Sequence, residues 1–197
     1  ITMKLSCTKE NLANALTLVS GVATKNVNLP ILGNVLIKAG EQKVEIISTN
    51  LELAIVVNLR SKIEAHGSFT VPSRTLADFV NLLSDEKVDL EVKDNELLVV
   101  CGKSTTKIKG SPAEEFPVIP AAEGEKGFVV DAADFKKALA QVMPALAKND
   151  IRPELAGMFL GFNQGVVGEL VLAGTDSYRL AEKKIKLIQG NDAIKVI

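Results

Sequence analysis

The side chains able to carry chemistry are few and far apart. The single histidine, His66, lies beside Gly67 in a turn, with no serine or cysteine that can be argued to sit beside it as a nucleophile. Gly102-Lys103-Ser104-Thr105 has the ending of a phosphate-binding loop. However, Leu97 stands where the first glycine is required, and the tetrapeptide joins two strands rather than opening a helix. Ser6–Lys9 and Ser104–Lys107 match a Ser-x-x-Lys spacing that two residues alone produce by chance. Adjacent Glu114 and Glu115 in an extended segment point apart and read as a solvated pair. Cys7 and Cys101 both fall in alternating apolar stretches and read as buried free thiols in a reducing compartment. With one histidine they make no zinc-ligand set. The sequence shows no catalytic apparatus, and it calls for no metal and no cofactor.

The elements that could position any site must therefore be found first. At 197 residues, 47% of them hydrophobic, the chain can build one large domain or two modest ones. Tryptophan is absent, so the core must come from Leu, Val, Ile and Ala. A formal net charge of −1 excludes a generally basic nucleic-acid binder, and any DNA contact needs a local basic surface. No apolar run approaches the ~20 residues that cross a membrane. Nor does a charged-then-apolar leader open the chain, so the expected compartment is the cytoplasm. Met3 reads as the natural start behind Ile1-Thr2.

One passage is written twice. Lys25, Asn26, Pro30 and Leu32 return as Lys148, Asn149, Pro153 and Leu155, an offset of 123 residues, and Ala15, Leu16 and Val19 return as Ala138, Leu139 and Val142. Further on, Ser48-Thr49-Asn50-Leu51-Glu52 meets Gly174-Thr175-Asp176-Ser177-Tyr178 at an offset of 126. The three extra residues fit a Gly/Asn/Gln-bearing turn between Phe162 and Glu169, where length is cheap to change. A register kept through helix, loop and strand, slipping only at a turn, marks copies of one module.

In chain order, Met3–Cys7 is a strand and Thr8 caps a helix from Lys9 to Gly21, with Leu12, Leu16 and Val19 on one face. Pro30 excludes helix up to the strand Leu32–Ala39. Strands Lys43–Thr49 and Leu53–Leu59 complete a meander. Phe69–Val71 opens a second copy, with Ser73 as helix cap and Leu76, Phe79, Val80 and Leu83 as the buried face. Three strands follow, Val88–Lys93, Glu96–Cys101 and Thr105–Gly110. Ser111–Pro117 is a rigid exit and Ala121–Lys126 the linker. A third copy begins at Phe128–Val130. Asp131 caps its helix, which buries Phe135, Leu139, Val142 and Leu146 and is shortened by Pro144. Strands Gly157–Phe162, Glu169–Thr175 and Arg179–Leu187 come next. The fold class is α+β, with repeated strand-helix-three-strand units and helices on one face of antiparallel sheets. The expected domains are 3–122, holding two units, and 127–197, holding the first half of a second pair. Ala193–Ile197 reads as the strand leading into a fourth helix.

Paired units of this kind resemble the bacterial sliding clamp family, the β subunit of DNA polymerase III. The residues that carry the likeness are Leu29-Pro30-Ile31-Leu32-Gly33-Asn34, Ser48-Thr49-Asn50-Leu51-Glu52, Val71-Pro72-Ser73-Arg74 and Ser111–Pro117. Gly174-Thr175-Asp176-Ser177-Tyr178-Arg179-Leu180 joins them, with Ser177-Tyr178 where the family pattern has Gly-His. The resemblance implies the DNA clamp fold and a non-enzymatic processivity factor. In it, two three-domain subunits form a homodimer ring around duplex DNA and tether the replicative polymerase α subunit, the clamp loader and other clamp-motif proteins.

Residue by residue, the resemblance places a partner-peptide groove on Arg152, Leu155, Thr175, Ser177, Tyr178, Arg179 and Leu180. It implies DNA-facing positions at Lys25, Asn26, Arg74, Lys136, Lys137, Lys148 and Asn149. The subunit-closing edge falls on Thr105–Gly110, with Thr106 and Ile108 at the contact. The family's third domain lies outside this sequence, so a ring is not expected of these 197 residues alone. The alternative is a β-rich peptide-binding scaffold without DNA encirclement.

Overall fold

The structure, a computed structural model, describes residues 2–23, 28–84, 86–120, 127–149, 152–190 and the backbone of 195–196. The chain divides into two compact units, Ile1–Pro120 and Ala121–Ile197.

Unit 1 begins with β1 (Lys4–Thr8) and α1 (Lys9–Ser20). Thr8 holds an extended backbone and its hydroxyl accepts from the Asn11 N–H at 3.2 Å. A cap of this kind is worth about 1 kcal/mol. Leu12, Ala15, Leu16 and Val19 form the buried face of α1, each leucine contributing roughly 1.5–3 kcal/mol when fully covered. Next come β2 (Asn34–Ala39), β3 (Val44–Thr49), β4 (Ala54–Leu59) and β5 (Ser61–Ala65). The pattern then repeats as β6 (Gly67–Pro72), α2 (Ser73–Leu82), β7 (Lys87–Lys93), β8 (Glu96–Cys101), β9 (Ser104–Lys109) and the short β10 (Ser111–Pro112).

The two copies exchange their leading strands. One antiparallel sheet runs β5-β1-β7-β8-β9 and the other β10-β6-β2-β3-β4. Thus β1 pairs with β7 of the second copy, Leu5 opposite Leu90, while β6 pairs with β2 of the first, Val71 opposite Val35. Alternation then turns Val88, Leu90, Val92, Leu97 and Val99 inward from one sheet and Val35, Ile37, Val44, Ile46, Phe69 and Val71 from the other. These join the faces of α1 and α2 in a single core. Cys7 and Cys101 are both buried there, and burial pushes the Cys7 thiol up to about 12, with the nearby Asp89 carboxylate adding to the effect.

Unit 2 holds β11 (Val129–Val130), α3 (Ala132–Val142), α4 (Pro153–Ala156), β12 (Phe159–Phe162), β13 (Glu169–Thr175), β14 (Leu180–Gln189) and β15 (Lys195–Val196), in a sheet ordered β11-β14-β13-β12-β15. Asp131 caps α3 by accepting from the N–H groups of Ala133 and Asp134 at 2.9 and 3.0 Å. Pro144 ends α3 in a 3-10 turn at Met143–Ala145. Ala138, Val142, Leu170, Leu172 and Ile185 make the core, and Phe128 stacks on Phe162 with ring centroids 4.4 Å apart. The strand register repeats along with the sequence. Cys7 faces Ser61 in unit 1 and Val130 faces Leu187 in unit 2, displaced by 123 and 126 residues. β14 is therefore β4 and β5 run together.

Several expectations are corrected. Each copy in unit 1 carries four strands after its helix, because Ser61–Ala65 and Ser111–Pro112 also pair. Pro30 does not exclude helix; it opens a 3-10 turn at Pro30–Gly33, the first-turn position where its missing N–H costs nothing, and the strand starts only at Asn34. Ser73 is the first residue of α2 rather than its cap, and its hydroxyl meets that of Ser20 at 3.0 Å. Glu114 and Glu115 lie in a 3-10 turn rather than an extended segment, closed by the Phe116 N–H to Ala113 O at 3.1 Å. The Ala121–Lys126 linker lies outside the described residues.

Candidate functional site

The residues of the expected groove come from two stretches of unit 2. The first leads into α4, where Pro153 occupies the opening position. The Leu155 N–H donates to Arg152 O and the Ala147 N–H to Leu155 O, both at 3.0 Å, which fixes Arg152 and Leu155 on one loop. The second is the turn between β13 and β14. Thr175 Oγ1 donates to Arg179 O at 2.7 Å and accepts from the Ser177 N–H at 3.1 Å. Asp176 Oδ1 accepts from the N–H groups of Tyr178 and Arg179, both at 3.0 Å. Ser177 takes the left-handed region at φ 75.

The same turn is built in unit 1. Thr49 Oγ1 bonds Leu53 O and the Leu51 N–H at 3.0 Å each. Asn50 Oδ1 takes the Glu52 and Leu53 N–H groups at 3.1 and 2.8 Å, and Leu51 has φ 78. Thr followed by Asn or Asp is thus a local device for this turn, and what differs is what it presents. Unit 1 shows Leu51, Glu52 and Leu53; unit 2 shows Ser177, Tyr178 and Arg179.

Two cavities of about 420 Å³ each adjoin at Leu155. The polar one lies between Lys148, Asn149 and Arg152 on one wall and Asp176–Arg179 on the other. The apolar one is lined by Leu155, Met158, Phe159, Thr175 and Leu180. Leu155 is half-buried, while Leu180 is 72% and Tyr178 97% exposed, so their apolar area faces solvent. Both arginines are oriented by acids. Arg152 Nε meets Glu154 Oε1 at 3.0 Å and its Nη1 donates to Ser177 Oγ at 3.2 Å, while Arg179 Nε meets Asp176 Oδ2 at 2.9 Å. The Tyr178 and Arg179 N–H groups and the Arg179 guanidinium hold the Asp176 carboxyl below its ordinary range. Glu154 is likewise lowered, by its own backbone N–H and by Arg152.

The structure thus brings Arg152, Leu155, Thr175, Ser177, Tyr178, Arg179 and Leu180 around adjoining cavities, and adds Lys148 and Asn149 to the polar one. Sequence reasoning did not name Met158 and Phe159, nor Glu154 and Asp176 as partners of the arginines. The spacings Arg152-x-Glu154 and Asp176-x-x-Arg179 were the available signal. Lys25 and Asn26 lie outside the described residues. Arg74 is exposed in the first turn of α2, 3.9 Å from Asp78, and Lys136 and Lys137 are exposed on α3. Thr106 is half-buried on β9, an outer strand of its sheet. Ile108 is 5% exposed and belongs to the unit 1 core. β9 ends the sheet order on that side, so its outer edge is where another strand could pair.

The chemically suggestive residues have ordinary roles. His66 Nδ1 shares a hydrogen bond with Gly40 O at 2.9 Å on an exposed turn. Gly102 and Lys103 form the two-residue link between β8 and β9, where Cys101 faces Ser104 and Gly102 supplies φ 56. Among the described residues no three His, Cys, Asp or Glu side chains gather to hold a metal ion, and no helix is long and apolar enough to cross a membrane.

The family model for the DNA polymerase III beta subunit, N-terminal domain, matches residues 3–120, and that for its central domain matches residues 129–197. The chain belongs to the DNA polymerase III beta subunit family. A beta sliding clamp of Pseudomonas aeruginosa is 32% identical over 182 residues, covering 91% of this chain and 48% of its own length. The crystal structure of the DNA polymerase sliding clamp from Bacillus subtilis superposes with a TM-score of 0.90 at 25% identity, over 100% of this chain and 53% of that one. A Pseudomonas aeruginosa sliding clamp solved bound to griselimycin matches with a TM-score of 0.88 at 28% identity, over 100% of this chain and 53% of that one. The chain spans about half the length of the sliding clamps it matches. Its antiparallel sheets with packed helices are the clamp fold.

Proposed function

We propose that these residues are the first domain and the first half of the second domain, 3–122 and 127–197, of a DNA sliding clamp. The whole protein would be a homodimer ring that encircles duplex DNA and acts in replication as a processivity factor without catalysis of its own. One observation carries the reading. Two stretches remote in sequence converge on adjoining apolar and cationic cavities, as a surface for an extended peptide requires. Leu155 and Leu180 would take apolar side chains, Arg152 and Arg179 the peptide's carbonyl or carboxylate oxygens, Thr175 and Tyr178 would form the rim, and Ser177 would stand in the wall beside Arg152 without touching the peptide. The occupants would be the replicative polymerase α subunit, the clamp loader and other clamp-motif proteins. Griselimycin is a candidate ligand for the same groove.

Lys25, Asn26, Arg74, Lys136, Lys137, Lys148 and Asn149 are the proposed phosphate contacts. Weak and exchangeable contacts suit a ring, which keeps DNA by enclosure and must slide. The gain in polymerase processivity is then one of effective concentration at the template. The β9 edge, with Thr106 and Ile108, is the proposed subunit contact.

Titration of a labelled clamp-motif peptide against the full-length protein, with griselimycin as competitor, tests the groove. Leu180→Ala, at a solvent-facing position, should weaken peptide binding about 10-fold or more, the order expected for a leucine side chain buried only in the complex. Unaltered affinity would place the peptide elsewhere.

A further inference from the structure

The polar cavity has two walls, and one hydrogen bond joins them. Arg152 stands on the loop before α4 and Ser177 on the β13–β14 turn, 25 residues apart in sequence, with Nη1 donating to Oγ at 3.2 Å. The bond is not needed to build either wall. The loop closes through the Ala147, Arg152 and Leu155 backbone groups, and the turn through Thr175 and Asp176. The unit 1 turn, with equivalent hydrogen bonds, has Leu51 at the Ser177 position and Leu29 at that of Arg152, where no such bond can form. Both ends are nevertheless held in place. Ser177 is pinned at φ 75 with its N–H committed to Thr175 Oγ1, and Arg152 is braced from the other side by Glu154 at 3.0 Å. A guanidinium fixed at both ends lies across the cavity between its walls.

We infer that Ser177 is a latch on the groove and a determinant of its selectivity. Its hydroxyl holds Arg152 in a closed position, and an entering peptide must break this bond before Arg152 can turn to it. The inference rests on the groove reading above. The occupant best able to open the latch offers an oxygen acceptor, a carboxylate above all, to replace Ser177 Oγ. A peptide lacking one breaks the bond without compensation. Because the bond is present only before entry, it acts on the rate of association. Its removal should leave the bound complex as it was.

Stopped-flow binding of a fluorescein-labelled clamp-motif peptide to full-length wild type, Ser177→Gly and Ser177→Ala decides the matter. Glycine is at ease at positive φ and alanine keeps the serine backbone strain, so agreement between the two isolates the hydroxyl. The latch predicts a Kd lowered about three- to tenfold in both variants, the worth of one hydrogen bond to a charged group in a solvated setting. The change should lie in the association rate, with dissociation unaltered. An unchanged Kd, a weaker one, or a gain that lies in dissociation overturns the latch while leaving the groove intact. Absence of binding by the wild type removes the groove reading, and the latch with it.

Discussion

Gly174 is where the internal repeat makes its sharpest demand. A Cβ built there would stand 2.5 Å from Leu146 Cδ2 and 3.1 Å from Val142 Cγ1, against the roughly 3.5–4.0 Å at which carbon atoms rest. The equivalent position in unit 1 is Ser48, fully buried, with its hydroxyl donating to Val19 O at 2.7 Å. Unit 1 has room because the counterpart of Leu146 is Ala23. Gly174→Ser therefore forces Leu146 outward by about 1 Å, at an overpacking cost of roughly 1–3 kcal/mol, offset by about 0.4–1 kcal/mol from the stiffer unfolded chain. We expect a net loss of about 1–2 kcal/mol. Leu146→Ala alone leaves a gap beside the polar cavity and should cost a similar amount at this half-buried site. Together they rebuild the unit 1 arrangement, with the introduced serine hydroxyl in reach of Val142 O. The pair should recover about 2 kcal/mol relative to the sum of the single changes. Urea unfolding, with hydrogen exchange of the β13 amides reporting unit 2, measures the cycle. Additivity within about 0.5 kcal/mol would refute the equivalence of the two positions.

Three further outcomes are expected. Thr8→Ala should cost unit 1 about 1 kcal/mol, seen as a lower urea midpoint, whereas Thr8→Ser should be nearly neutral. Cys7, with its thiol pushed up to about 12, should resist thiol reagents at about pH 8 in the folded protein and react once urea exposes it. The Asp176 carboxyl, lowered mainly by the Tyr178 N–H and also by Arg179, stabilises the β13–β14 turn when ionised. That contribution is complete above the unfolded carboxylate value of about 4 and is lost as pH falls through the lower folded one. Asp176→Asn, copying Asn50 of unit 1, should keep the turn and abolish this acid-range dependence, as amide exchange of Tyr178 and Arg179 against pH would report.

Much of the fold could be read from patterns with a local cause. Thr8 and Asp131 are caps, Glu169–Thr175 is a strand over its full predicted span, and Pro144 ends α3, because each rests on neighbouring residues alone. β5 escaped notice because Ser-Lys-Ile-Glu-Ala lies at a sheet edge with one face exposed and the other only half-covered, so Ile63 is its one large apolar residue. The exchange of leading strands between copies has no local signature, since β1 would satisfy either sheet. In the site, the repeat located the turn and the loop, but their union into adjoining cavities depends on how β13, β14 and α4 pack. The acids that orient Arg152 and Arg179 were visible only as spacings.

The most direct test of a clamp is topological. Full-length protein loaded onto a nicked circular plasmid should stay bound through gel filtration in moderate salt and be released when one restriction cut linearises the circle. Equal retention on circular and linear DNA, or none on either, would contradict encirclement.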